Sequence, residues 1–206
     1  MHQEVELVSK RNVVKRVIED QGTYIRKIFS NEDSFKRELE VVNILNNNLT
    51  CLPRIIHVID QEILYEDLGD NTLLHWMEDA EKNKIEDYEN LIGGVLNILK
   101  GIYAALEKEY KKEMVLYDMN FRNFILHKED IYRIDFEQVV EGNKNDDLGK
   151  FMAFLLNYYP ENTPWKRRFR DKFYQMISQD ESYDISEILV QEEMEIKSIN
   201  RRRNKE

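Results

Sequence analysis

The stretch VLYDMNFRNFILHKEDIYRIDFEQ, residues Val115 to Gln138, sets two aspartates and an asparagine at the ends of two short apolar runs. Asp118 and Asn123 precede the run FILH, and the run IYRI leads into Asp135-Phe136-Glu137. With the turn KED between them, these runs predict a β-hairpin. A tight hairpin brings the residues before its first strand close to the end of its second. Asp118, Asn123 and Asp135 are therefore expected to converge at one edge. Three oxygen-bearing side chains with no thiolate or imidazole suit a hard cation such as Mg2+, which keeps waters and bridges phosphates. Taken singly, Asp118 and Asn123 would also serve as turn caps. A carboxylate directly after IYRI has little structural use.

The most regular apolar ladder in the chain comes just before this stretch: Leu91, Val95, Ile98, Ile102, Ala105 and Leu106 predict a helix. Further upstream, VELVS, NVVKRVIED and TYIRKIF read as strands, with a turn at Gln21-Gly22. Phe35, Leu39, Val42 and Leu45 then predict an amphipathic helix over Ser34 to Asn47, capped by Ser30 or Asn31 and broken by NNNLTCLP. Two more strands are expected in RIIHVID and EILYEDL, and a turn at Gly69-Asp70-Asn71 leads to a short helix from Thr72. A polar stretch covers Glu78 to Asn90. Beyond Gly142-Asn143 helices are expected over Asp147 to Tyr159, Pro164 to Ser178 and from Ile185. The order predicts an α+β chain with a sheet-rich part, 1–68, and a helical part, 69–206, joined at Leu68-Gly69.

With 206 residues, 42% hydrophobic and 34% charged, the chain can bury a sizeable core and has the balance of a globular protein. No run approaches the ~20 apolar residues of a membrane span. The N-terminus lacks the segments of a signal peptide, so a cytoplasmic location is expected. The single cysteine, Cys51, precludes an internal disulfide and a thiolate metal cage, and is expected to be a small buried residue. Four scattered histidines show no zinc spacing. A formal charge of -10 argues against nucleic-acid binding over the whole surface. The exception is Arg201-Arg202-Arg203, read either as a frayed, solvated end or as a basic tail that could meet nucleic acid.

The Val115–Gln138 stretch resembles the catalytic core of the protein-kinase-like superfamily. There a catalytic Asp precedes a metal-binding Asn by five positions, and D-F-G or D-F-E closes the hairpin. Further parts of that pattern occur in order. YIRKIF places Lys27 at the strand lysine, FKRELEVVNIL offers Glu38 as its helix partner, and ILYEDLGDNTLL resembles the hinge between two lobes. Asp147, opening DLGKFMAFLL, resembles the aspartate that braces the catalytic loop. The resemblance covers roughly Val5 to Tyr159. It implies a two-lobed fold binding ATP and Mg2+. In that scheme Lys27, held by Glu38, neutralises phosphates, and Asn123 and Asp135 hold magnesium. Asp118 orients an acceptor hydroxyl and takes its proton. Tyr65 sits at the gatekeeper position, and Glu66 and Leu68 offer backbone groups to adenine.

The departures narrow the subgroup. SKRNVVKRV has no glycine where the family carries a Gly-rich phosphate loop, and Leu116 replaces the usual histidine two positions before Asp118. Glu137 replaces the glycine of D-F-G, as in aminoglycoside and choline phosphotransferases, and Asn120 stands where Ser/Thr protein kinases carry lysine. Only about seventy residues follow Asp135, so the build resembles small bacterial and archaeal members. These are the RIO type, the lipopolysaccharide-kinase type and the small kinase subunit of the tRNA-modifying KEOPS complex, which also ends in a basic tail. The resemblance implies a kinase acting on a hydroxyl of a protein Ser/Thr or a small molecule. The missing glycines and Leu116 motivate an alternative, a pseudokinase or nucleotide-binding scaffold acting through a partner protein. A plain interaction domain with coincidental motifs would place Lys27 and Asp135 far apart.

Overall fold

The structure, a computed structural model, describes residues 2–47, 49 and 51–204. β-Branched, alternating segments build five antiparallel strands, β1 (Gln3–Leu7), β2 (Val13–Glu19), β3 (Gly22–Ile28), β4 (Ile55–Ile59) and β5 (Glu62–Glu66). They pair in the order β1-β2-β3-β5-β4. Tight hairpins close β2–β3 and β4–β5, with Glu19 opposite Gly22 and Ile59 opposite Glu62. Strand alternation decides between the adjacent cations Arg26 and Lys27. Arg26 turns outward to Glu62 at 2.7 Å, whereas Lys27 lies opposite Ile63 and is only 8% exposed.

Helix α1 (Glu32–Asn46) begins two residues before the expected Ser34. The Asn31 side chain fixes that start by accepting from the N–H groups of Asp33 (2.8 Å) and Ser34 (3.0 Å), and Glu32 and Asp33 complement the helix dipole. Part of the segment predicted to break this helix, Asn48 and Thr50, lies outside the described residues. Phe35 and Leu39 of α1 pack on a small sheet cluster of Phe29, Ile63 and Tyr65. Val41, Val42 and Leu45 of the same helix join the main core instead. Glu38 therefore lies between two apolar clusters, 2% exposed.

The helical part comprises α2 (Leu73–Lys82), α3 (Glu89–Tyr110), β6 (Met114–Val115), β7 (Phe124–His127), β8 (Asp130–Arg133), β9 (Val140–Glu141), α4 (Lys144–Asn157), α5 (Pro164–Ile177) and α6 (Ile185–Arg203), and all but the exposed β9 pack into the main core. The α3 ladder of Leu91, Val95, Ile98, Ile102, Ala105 and Leu106 is buried throughout. Thr72 caps α2 through its hydroxyl, and the helix continues to Lys82, taking in the start of the expected polar stretch. Its inner face, Leu74, Met77 and Ala80, is buried, so packing overrides the polar residues of its outer face. The predicted strand IYRIDFE ends early, because Asp135 adopts a left-handed backbone (φ 67°) and turns the chain. Cys51 is half-buried rather than buried, and its carbonyl accepts from the Arg133 N–H at 3.0 Å.

Arg201, Arg202 and Arg203 are helical and exposed. Helix α6 runs through all three arginines; Arg202 pairs with Glu195 at 2.7 Å, and Arg203 pairs with Glu161 and donates to the Asn157 carbonyl at 2.6 Å. Helices α4 and α6 meet at Gly149, where a Cβ would stand 2.7 Å from the Ile188 carbonyl and 2.8 Å from the Glu192 nitrogen. In an open helix Gly→Ala gains up to about 1 kcal/mol. Here two backbone atoms of α6 obstruct the methyl, so Gly149→Ala should instead cost about 1–3 kcal/mol and lower the Tm. A Tm at or above wild type would show that the crossing relaxes freely. Among the described residues no helix is long and apolar enough to cross a membrane.

Candidate active site

Side chains from both parts of the chain meet around Lys27. Its ammonium lies 2.5 Å from Glu38 Oε2, 2.9 Å from Asp135 Oδ1 and 4.0 Å from Glu137 Oε2. The Tyr65 hydroxyl donates to the second Glu38 oxygen at 2.8 Å, so both oxygens of this buried carboxylate are satisfied. Burial opposes the charge on Lys27, but Glu38 and Asp135 outweigh it and raise the lysine pKa. Burial would likewise raise the Asp135 carboxyl; the charge and hydrogen bond of Lys27, with Arg133 and Arg11 behind it, hold it below its ordinary range. A chain with coincidental motifs would leave Lys27 and Asp135 far apart, whereas here they touch.

The segment leading to Asp118 is shaped by Asp147. One oxygen of its buried carboxylate accepts from the Leu116 N–H at 2.7 Å and the Tyr103 hydroxyl at 3.0 Å, and the other from the Tyr117 N–H at 3.0 Å. This support holds Tyr117 at φ 65°, and the Asp118 N–H reaches back to the Leu116 carbonyl at 2.8 Å, closing a γ-turn. A non-glycine residue in this region costs about 1–3 kcal/mol, which the Asp147 bonds offset. Leu116 itself is 1% exposed and belongs to the same core cluster as Phe136. Its side chain fills the core while its N–H meets the bracing carboxylate.

Asp118 is half-buried, with Oδ1 accepting from the Asn120 N–H at 3.1 Å and Oδ2 only 3.4 Å from the Gln138 amide. The Asn123 carbonyl accepts from the Ile134 N–H at 3.0 Å, which ties it to the end of the hairpin. Its side-chain Nδ2 is buried with no partner among the described residues. Arg133, fully buried, links the two residues by donating to the carbonyls of Asp118 (2.6 Å) and Asn123 (3.1 Å). The hairpin is joined in turn to the segment after β5: His127 Nδ1 donates to the Leu68 carbonyl at 2.9 Å, and the Leu126 N–H to that of Asn71 at 2.8 Å. Glu66 is tied to the residue before β4 through its N–H, which meets the Arg54 carbonyl at 3.0 Å.

A divalent cation fits this donor set. Oxygens of Glu38, Asp135 and Glu137 lie within 4.8 Å of one another, and their three charges meet the Lys27 ammonium and the Arg11 guanidinium paired with Glu137, leaving an excess of one negative charge. The Asn123 side chain, whose oxygen is the atom able to ligate a cation, stands at the same hairpin end. Sequence reasoning did not single out Arg133, Asn12, Arg11 or Glu137 as members of the site. The one signal for Arg133 was a cation interrupting the apolar alternation of IYRI. The other three meet only through contacts between residues more than a hundred positions apart, such as Asn12 Nδ2 to Glu137 Oε2 at 2.7 Å.

No protein-family model matches the sequence, and no curated protein does. Among solved structures the chain is similar to amicoumacin kinase hAmiN in complex with AMP-PNP, Ca2+ and Ami, with a TM-score of 0.58 and 14% sequence identity. The similarity covers 94% of this chain and 79% of that one. Its antiparallel sheet followed by a helical part thus gives the chain a kinase-like fold.

Proposed function

We propose that the protein is an ATP- and Mg2+-dependent phosphotransferase that moves the terminal phosphate to a hydroxyl. The contact of Lys27 with both Glu38 and Asp135 carries this reading. A lysine held by one buried carboxylate and touching a second, more open one is prepared to neutralise phosphates while that second carboxylate holds a metal. Asn123 and Asp135 are the proposed metal ligands, and bound Mg2+ supplies charge neutralisation on the phosphate oxygens. Lys27 orients those phosphates, and Glu38, fixed by Tyr65, keeps the lysine extended. Glu66 and Leu68 offer backbone groups to adenine; the Leu68 carbonyl already engages His127, so its N–H is the group assigned. Asp118 orients the acceptor hydroxyl and receives its proton. Positioning and electrostatics supply most of the catalysis in such a site. The lobes are assigned as residues 1–68 and 69–206.

The acceptor is an alcohol of a small molecule or of a protein Ser/Thr. The structural neighbour is named as a kinase of amicoumacin, and the short chain after Asp135 also resembles the RIO, lipopolysaccharide-kinase and KEOPS types. Thermal shift with ATP, with and without Mg2+, tests the site directly. Wild type should be stabilised by ATP in a metal-dependent way, by about 2.7 kcal/mol at a ligand concentration one hundred times Kd. Asp135→Ala should lose the metal dependence. Stabilisation of wild type that ignores the metal would favour a nucleotide-binding regulatory scaffold. No stabilisation at all would sink the reading.

A further inference from the structure

The connection between β1 and β2, residues 8–12, contains no glycine. Its backbone therefore lacks the freedom by which glycine-rich turns bring several amides onto one phosphate. Side chains fix the loop instead. Asn12, 9% exposed, accepts from the Ser30 N–H through Oδ1 at 3.2 Å and donates through Nδ2 to Glu137 Oε2 at 2.7 Å. The Ser30 hydroxyl donates to the Arg11 carbonyl at 2.9 Å. These bonds clamp the loop and place the Arg11 side chain over Glu137, with Nη1 3.4 Å from Oε1.

The two ends of that ion pair differ. The Glu137 side chain is 5% exposed and reaches within 4.0 Å of Lys27, whereas Arg11 is 60% exposed and held at one long contact. The one long contact holds the exposed guanidinium weakly, and the buried Glu137 carboxylate keeps its bond from Asn12 when Arg11 leaves. A phosphate would offer the same guanidinium two oxygens in the planar, bidentate geometry it suits best. Arg11 also faces the right place, since Glu137, which it meets, lies within 4.0 Å of Lys27.

We propose that Arg11 recognises the terminal phosphates of the nucleotide, doing by side chain what a glycine-rich loop does by backbone, with Glu137 holding it when no nucleotide is bound. This rests on the phosphotransferase reading above. Calorimetric titration of AMP, ADP and AMP-PNP in Mg2+ tests it with wild type, Arg11→Met and Arg11→Lys. Arg11→Met should weaken AMP-PNP binding by about tenfold or more, as expected for losing a charge-assisted contact, and leave AMP unchanged. Arg11→Lys should recover part of the loss, because it restores the charge without the fork. Equal AMP-PNP affinity in wild type and Arg11→Met would overturn the assignment while leaving the phosphotransferase intact. So would an equal loss for AMP and AMP-PNP, which would mean that the loop had only collapsed. Wild type binding none of the three would overturn both.

Discussion

Asp118→Asn should lose about two to four orders of magnitude in turnover, the usual contribution of a positioned acid or base, with nucleotide affinity unchanged. The variant keeps the size and the oxygen that accepts from the Asn120 N–H at 3.1 Å, so the loop has no reason to move. What it loses is the carboxylate oxygen facing Gln138, which is held only at 3.4 Å and is the better placed of the two to take a proton. The Asp118 carbonyl stays fixed by Arg133 in either case. Lys27 and Asp135, to which the nucleotide phosphates and metal are assigned, are untouched. ADP release with water as the surrogate acceptor measures the effect without knowledge of the natural one. A loss of nucleotide affinity instead of rate would place Asp118 on the nucleotide, and an unchanged rate would remove it from the chemistry.

The parts of this fold that were legible in the sequence are those with local physical causes. The α3 ladder and the β2–β3 hairpin follow from periodicity and a turn, and a cap at Ser30 or Asn31 from their side chains, of which Asn31 bonds two adjacent N–H groups. The hairpin carrying Asp118, Asn123 and Asp135 was legible for the same reason, although its second strand is shorter than FILH and IYRIDFE imply. Local patterns could not show that α2 continues through Glu78 to Lys82, because the cause is burial of its other face by distant residues. The two-residue pair β6–β9 is too short to carry any pattern, yet it spans the stretch from Asp118 to Gln138. Nor could the sequence show that α6, a highly charged helix, packs backbone to backbone on α4 at Gly149. That crossing supports the helix bearing Asp147, and so reaches the Asp118 loop at second hand.

Arg133 shows how far local reasoning falls short at the site, and its replacement should be the most informative after Asp118. An arginine in an alternating strand reads as surface, yet this one is fully buried, and among the described residues no carboxylate lies within ion-pair distance of it. Burial pulls its pKa down against the attraction of Asp118, Asp135 and Asp147. Its guanidinium instead donates to two carbonyls, those of Asp118 and Asn123, and lies over Phe124 and Phe136 with the carbon 5.1 and 5.6 Å from their ring centres. One side chain thus fixes the proposed base and a proposed metal ligand at a set separation. Arg133→Met keeps the apolar packing and removes the cost of burying a cation, but leaves the Asp118 carbonyl unsatisfied at about 1–3 kcal/mol, while the Asn123 carbonyl keeps its bond from the Ile134 N–H. The opposing terms give a net destabilisation of about 1 kcal/mol, within reach of a thermal melt. Turnover should fall further than this loss of folded protein explains, because Asp118 is freed to wander from the acceptor. Arg133→Lys should restore charge but not rate, since one ammonium cannot span both carbonyls in the geometry of the fork. Measured at a temperature where all variants remain folded, a rate equal to wild type in Arg133→Met would reduce the arginine to packing. A rate lost in both variants, with nucleotide affinity retained, would establish it as the residue that positions the catalytic loop.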